Sequence, residues 1–207
     1  MMATDTASTA PPTAHGWGIS LTTDRDWTQA TTIEPLILAR TRMDVALPEP
    51  DTRLLTFLNQ KTDSLKLLEL ELFSTGPHDK PSATRADARA ATLVRRLIPP
   101  VVPAKTRIAL RPVPCHWLCV PQHAMRLVMR INHPLVGLSF DYGHWLSAGD
   151  DGLEVILGML MPRLWNVVIP AEVQAKDRHM LMQVLCRHGY DGMRTNDPTV
   201  RQAAGAD

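Results

Sequence analysis

Short aliphatic and β-branched runs alternate along this chain with longer segments whose apolar residues recur three and four apart, which predicts βα units on a parallel sheet. The strand-like runs are Trp17 to Leu21, Met43 to Leu47, part of Leu65 to Phe73, Arg107 to Leu110, Val136 to Phe140 and Trp165 to Ile169, with a weaker one near Met193. Thr84 to Leu97 carries Ala88, Ala91, Leu93, Val94 and Leu97 largely on one side, and the helix it predicts is expected to stop at Pro99 and Pro100. Pro121 to Ile131 opens with proline in the first turn and aligns Ala124, Leu127, Val128 and Ile131. Asp177 to His188 repeats the pattern through Met180, Leu181, Val184 and Leu185 before Gly189. A complete eight-unit barrel takes about 250 residues. With six to seven strands in 207 residues, a (β/α) TIM-type barrel, the architecture expected here, is abbreviated or incomplete. The open edge of such a sheet asks for cover from the N-terminal segments or a second copy, so a homo-oligomer is expected.

Residues 1–15 are small, polar and proline-containing and have too little to bury against the entropy of ordering them. With 199–207 similarly poor in apolar content, one folded domain is expected over 16–198 between a disordered N-terminal tail and a frayed C-terminal one. Twenty-two basic against twenty-one acidic side chains leave a charge of +1, which steers the chain onto neither nucleic acid nor an anionic membrane. Apolar runs such as Val155 to Met161 are too short to span a bilayer. Three cysteines, an odd number without a signal-peptide pattern, point to the cytoplasm.

The most specific stretch is Phe140-Asp141-Tyr142-Gly143-His144-Trp145-Leu146. A carboxylate at the C-terminal end of a parallel strand points into the sheet mouth, where α/β folds place their sites. Gly143 permits a tight turn that brings His144 back toward Asp141, an oxygen and nitrogen ligand pair for one divalent cation. On these residues alone, a structural role for the pair is an equal alternative.

The strand His133-Pro134-Leu135-Val136-Gly137, this Asp-x-x-His segment, Arg163 to Val168 and the turn Gly189-Tyr190-Asp191-Gly192 together resemble the xylose-isomerase-like family of sugar phosphate isomerases and epimerases, over about Arg107 to Pro198. The resemblance implies a divalent metal (Mn, Zn, Co or Mg) at Asp141, His144 and Asp197, with Asp197 as the catalytic carboxylate. It implies a sugar or hydroxy-ketone substrate, with Arg111, His116, Trp117 and Trp145 as substrate-binding residues. The pattern is eroded. The position matching the family's first acid/base glutamate is Arg111, and the family's next ligand position falls on Val168, which has no ligand atom. A guanidinium at Arg111 repels a metal and takes no proton, so any metal is held weakly or not at all. It offers Asp141 a bidentate salt bridge instead. Two functions stay open: a metal-dependent isomerase with an eroded site, and a non-catalytic binding module on the same scaffold.

Cys115, His116, Cys119 and His123 have a metal-like spacing, but Pro121 interrupts helical continuity, so buried structural thiols are expected. The clustered Met159, Met161, Met180 and Met182 are expected to fill core space. Glu69 and Glu71 flank Leu70, so a strand puts both in solvent or both in the mouth, as a minor alternative carboxylate pair.

Overall fold

The computed structural model describes residues 17–21, 36–60, 64–74, 80–114, 116–149 and 152–195. The expected tails, Cys115 and Asp197 lie outside them. In chain order the elements are β1 (Trp17–Leu21), β2 (Leu36–Asp44), α1 (Thr52–Gln60), β3 (Leu67–Phe73), α2 (Lys80–Val101), β4 (Arg107–Arg111), α3 (Pro121–Ile131), β5 (Val136–Asp141), α4 (Tyr142–Ala148), α5 (Leu153–Leu160), a 3-10 turn (Met161–Arg163), β6 (Leu164–Val168), α6 (Ala175–Arg187) and β7 (Met193–Thr195). The seven strands form one sheet in sequential order, each parallel to its neighbours.

Alternation along each strand sends side chains to opposite faces. Leu68, Leu70 and Leu72 of β3 join Ile108, Leu110, Leu138, Phe140 and the apolar faces of the helices in the main core. Leu67 faces the other way, with Leu38 and Ala109, in a small apolar cluster. That inner face is concave. Glu69 on β3 accepts from Asn166 Nδ2 on β6 at 2.9 Å, although β3 and β6 in a flat sheet stand about 14 Å apart. Ala109 and Gly137, in register beside Glu69, leave room for its side chain to cross. The protein is an incomplete TIM-type α/β barrel: among the described residues no pairing joins β7 to β1.

Three differences from the sequence expectations have physical causes. β2 lies over Leu36–Asp44 rather than Met43 to Leu47, because Arg40 and Arg42, which interrupt its apolar run, pair with Glu69 and Glu71 of β3. Helix α2 runs through Pro99 and Pro100 to Val101, and the Val102 amide still donates to the Ile98 carbonyl at 3.1 Å. The carbonyls that lose a donor belong to Arg95 and Arg96, both exposed residues on the solvent side of the helix. The methionines divide: Met161 and Met182 pack on the core, whereas Met159 and Met180 are exposed on outer helix faces. Helix α3 matches its expected bounds, closing at Asn132 in the left-handed region with its amide donating to Val128 O. No helix among the described residues is long and apolar enough to cross a membrane.

Candidate functional site

Strand β5 is buried along its whole length and ends at Asp141, which caps α4 by accepting from the His144 amide at 3.0 Å. The expected loop after Asp141 is thus the first turn of a helix. Gly143 is needed for packing rather than for a turn, since a Cβ there would come within 2.6 Å of Pro170 Cγ. Tyr142 anchors α4 by donating its hydroxyl to the Asp177 carbonyl at 3.1 Å. Burial, with Asp177 nearby, pushes the Tyr142 phenol above its ordinary pKa.

Inside the barrel, arginines and carboxylates interleave. Arg111 Nη2 donates to Asp141 Oδ2 at 2.6 Å, and Nη1 lies 3.3 Å from Glu71 Oε1 and 3.8 Å from Glu69 Oε2. Arg40 Nε pairs with Glu69 Oε2 at 2.5 Å. Glu69 also accepts from the Ser139 hydroxyl and from Asn166 Nδ2, which lies 3.0 Å from Thr195 Oγ1. At the mouth, Arg42 Nε stands 3.8 Å from Glu71 Oε2 and the guanidinium lies over the Phe73 ring at 5.0 Å. Three guanidinium groups thus face three carboxylates, and Glu69, Arg111 and Asp141 are buried. Breaking one member of such a buried set leaves an uncompensated charge, which costs about 3–5 kcal/mol.

Beside Asp141 opens a cavity of about 360 Å³, with His144 and Trp145 on α4 and Pro112, Pro114 and Val120 of the β4–α3 loop in its walls. His144 is 40% exposed, and its Nδ1 lies 3.4 Å from Asp141 Oδ2 without making a hydrogen bond. The structure therefore brings together Asp141, His144, Trp145 and Arg111. His116, whose ring lies 6.3 Å from that of Phe73 at the mouth, and Trp117 line a second cavity of about 490 Å³ between α2 and the β4–α3 loop. There the His123 ring bridges the Trp117 carbonyl at 3.1 Å and Asp87 Oδ1 at 2.8 Å, a structural arrangement. Cys119 is exposed, not buried as expected, because it ends that loop and lines both cavities. Sequence reading missed Arg40, Ser139 and Asn166 and ranked Glu69 as minor. The available signal was polar residues recurring every second position in otherwise aliphatic strands.

D-psicose 3-epimerase from Clostridium cellulolyticum H10, solved with D-tagatose, superposes with a TM-score of 0.67 at 16% identity, covering 89% of this chain and 74% of that one. The chain has the fold of the xylose-isomerase-like barrels. The 3-keto-D-glucoside 4-epimerase YcjR of E. coli matches with a TM-score of 0.60 at 15% identity, covering 78% of this chain and 72% of that chain. The IolI protein, solved with a zinc atom, matches at 0.56 and 14%, covering 84% and 72%. No family model and no curated protein sequence matches, so the likeness rests on structure.

A xylose-isomerase-like barrel implies a divalent metal, and the described residues do not fit one. The Arg111 guanidinium occupies the space between Asp141 and Glu71 that a cation would need, and Asp141 Oδ1 is taken by the His144 amide. Among the described residues no group of three or more His, Cys, Asp or Glu side chains is arranged to hold a metal ion.

Proposed function

We propose that this barrel is a non-catalytic small-molecule-binding module on a sugar-epimerase scaffold, in which buried ion pairs stand in place of metal-dependent proton transfer. The observation that carries this is the 2.6 Å bond from Arg111 to Asp141. An arginine stays protonated at any physiological pH, so it neither accepts the proton of an epimerisation nor yields its place to a cation. Glu69, the most buried carboxylate among the described residues, is held by Arg40, Ser139 and Asn166. The superposed D-psicose 3-epimerase was solved with D-tagatose, which makes a sugar the reference ligand, and the catalytic apparatus for one is incomplete.

Calorimetric titration with Mn tests this reading. The native chain is expected to give no saturable heat, whereas Arg111→Glu, which adds a carboxylate and removes the competing cation, is expected to gain binding. Stoichiometric binding by the native chain overturns the proposal without any variant having to fold. A second reading is favoured by one contact: His144 Nδ1 beside Asp141 has the form of a metal-free base. Proton exchange into D-tagatose in deuterated water, abolished by His144→Ala and indifferent to chelator, would establish that reading instead.

A further inference from the structure

The wall of the cavity beside Asp141 is unlike that of a site for polyols. Pro112, Pro114, Val120, Pro121, Trp145 and Ala148 supply apolar surface along most of it. Its polar groups are largely committed. Asp141 accepts from Arg111 and from the His144 amide, and Ser139 donates to Glu69. The Ser147 hydroxyl donates to the His144 carbonyl at 2.9 Å, so what is left to meet a ligand is the His144 imidazole, the lone pairs of Ser147 and the Cys119 thiol. A ketose brings several hydroxyls, and each one buried without a partner costs about 1–3 kcal/mol. Two or three unmet hydroxyls cost about 2–9 kcal/mol together, a range that spans the roughly 4 kcal/mol separating micromolar from millimolar binding.

Size and charge narrow the occupant further. A dry cavity of about 150 Å³ accepts benzene, and this one, at about 360 Å³, is more than twice as large. The charges facing it balance, because Asp141 is paired with Arg111, so nothing there selects an ionic ligand. Trp145 and three prolines, Pro112, Pro114 and Pro121, are among the lining side chains, a surface suited to aromatic or alicyclic carbon. His144 turns its buried Nδ1 toward Asp141, so the ring edge away from that carboxylate is the one directional partner left at the polar end.

We propose that this cavity takes a neutral, largely apolar molecule of about two fused or linked rings bearing a single hydroxyl. The rings lie against Pro114, Val120, Pro121 and Trp145, and the hydroxyl meets the His144 imidazole. This inference rests on the binding-module reading above and names the ligand class of the same site.

The test titrates the full chain with β-naphthol, naphthalene and D-tagatose while following the Trp145 indole N–H resonance by NMR, assigned by its loss in Trp145→Phe. β-Naphthol is expected to shift that resonance saturably, and D-tagatose is not. His144→Leu is expected to weaken β-naphthol about tenfold, the loss of roughly one hydrogen bond, and to leave naphthalene unchanged. Val120→Asp, at an exposed position that the fold tolerates, is expected to weaken both aromatic ligands. A saturable shift at lower concentration with D-tagatose than with β-naphthol overturns the proposal. So does β-naphthol binding that ignores Val120→Asp. The failures separate cleanly: tight Mn binding by the native chain sinks the binding-module reading, whereas absent naphthol binding in a chain that ignores Mn sinks the ligand class alone.

Discussion

Neighbouring residues of β3 meet two different solvents: Leu70 is enclosed by the aliphatic core under the helices, and Glu69, one position away, is enclosed by arginines, a hydroxyl and an amide. Both are fully buried. On the outer face, burial of apolar area does the stabilising, so residues of similar volume exchange at modest cost. On the inner face each group is held by a directed partner, and removing one strands the others. The barrel thus separates a tolerant face, which makes the sheet stable, from an exacting face, which fixes what the interior can do. Arg111 belongs to the exacting face, and for that reason its effect on chemistry outweighs that of any residue beneath the helices.

The sharpest way to break this contrast is Glu69→Ala. It is expected to cost about 3–5 kcal/mol in urea denaturation, because Arg40 and Arg111 lose a buried counter-charge and Ser139 and Asn166 lose an acceptor. Glu69→Gln, which keeps the acceptor and drops the charge, is expected to recover part of that loss. If Glu69→Ala costs less than about 1 kcal/mol, an ordinary surface-like value, water enters the interior and the set of ion pairs is not a buried one.

The contrast also accounts for what was legible in the sequence. Outer-face apolar periodicity is local, so β1 and α3 were bounded to the residue, and β3 to β6 were placed within two. The shorter helices α1, α4 and α5 were not recognised, since Leu54, Phe57 and Leu58 give one apolar turn and α5 is apolar nearly all round. Inner-face residues carry little local signal because their partners are distant in the chain: Glu69 is 97 residues from Asn166. The Arg111 and Asp141 pairing was legible only because a family resemblance put both at strand ends. The second cavity at His116 and Trp117 carries no local signal either, since it forms only where the β4–α3 loop meets α2.

A smaller effect tests the floor of the same inner face. A Cβ at Gly137 would lie 2.3 Å from the Arg163 carbonyl and 2.3 Å from Trp165 Nε1, and Trp165 is itself held beneath the Arg107 guanidinium at 4.4 Å. Gly137→Ala must therefore shift backbone or displace the indole, at an expected cost of about 1–3 kcal/mol. Calorimetric melting measures it. A neutral result would show the floor to be loosely packed and would assign the exacting behaviour to the charged layer alone.

The smallest expected effect lies away from both faces and calibrates them. Asp51 precedes α1 and accepts from the Arg53 amide at 2.8 Å, a helix N-cap on an exposed turn. The Arg53 side-chain bond, against a smaller opposing effect of burial, holds the Asp51 carboxyl below its ordinary pKa. A folded-state value below the unfolded one means that the cap's contribution is fully present above about pH 4, the ordinary aspartate range, and fades as the pH falls through the lowered value. Asp51→Ala is expected to cost about 1 kcal/mol near neutral pH. The gap from the native chain should close only in the acid limb, below about pH 4. A cost that persists unchanged into strong acid would mean that the protonated Asp51 carboxyl caps as well as the ionised one, leaving no titrating cap against which to scale the loss at Glu69.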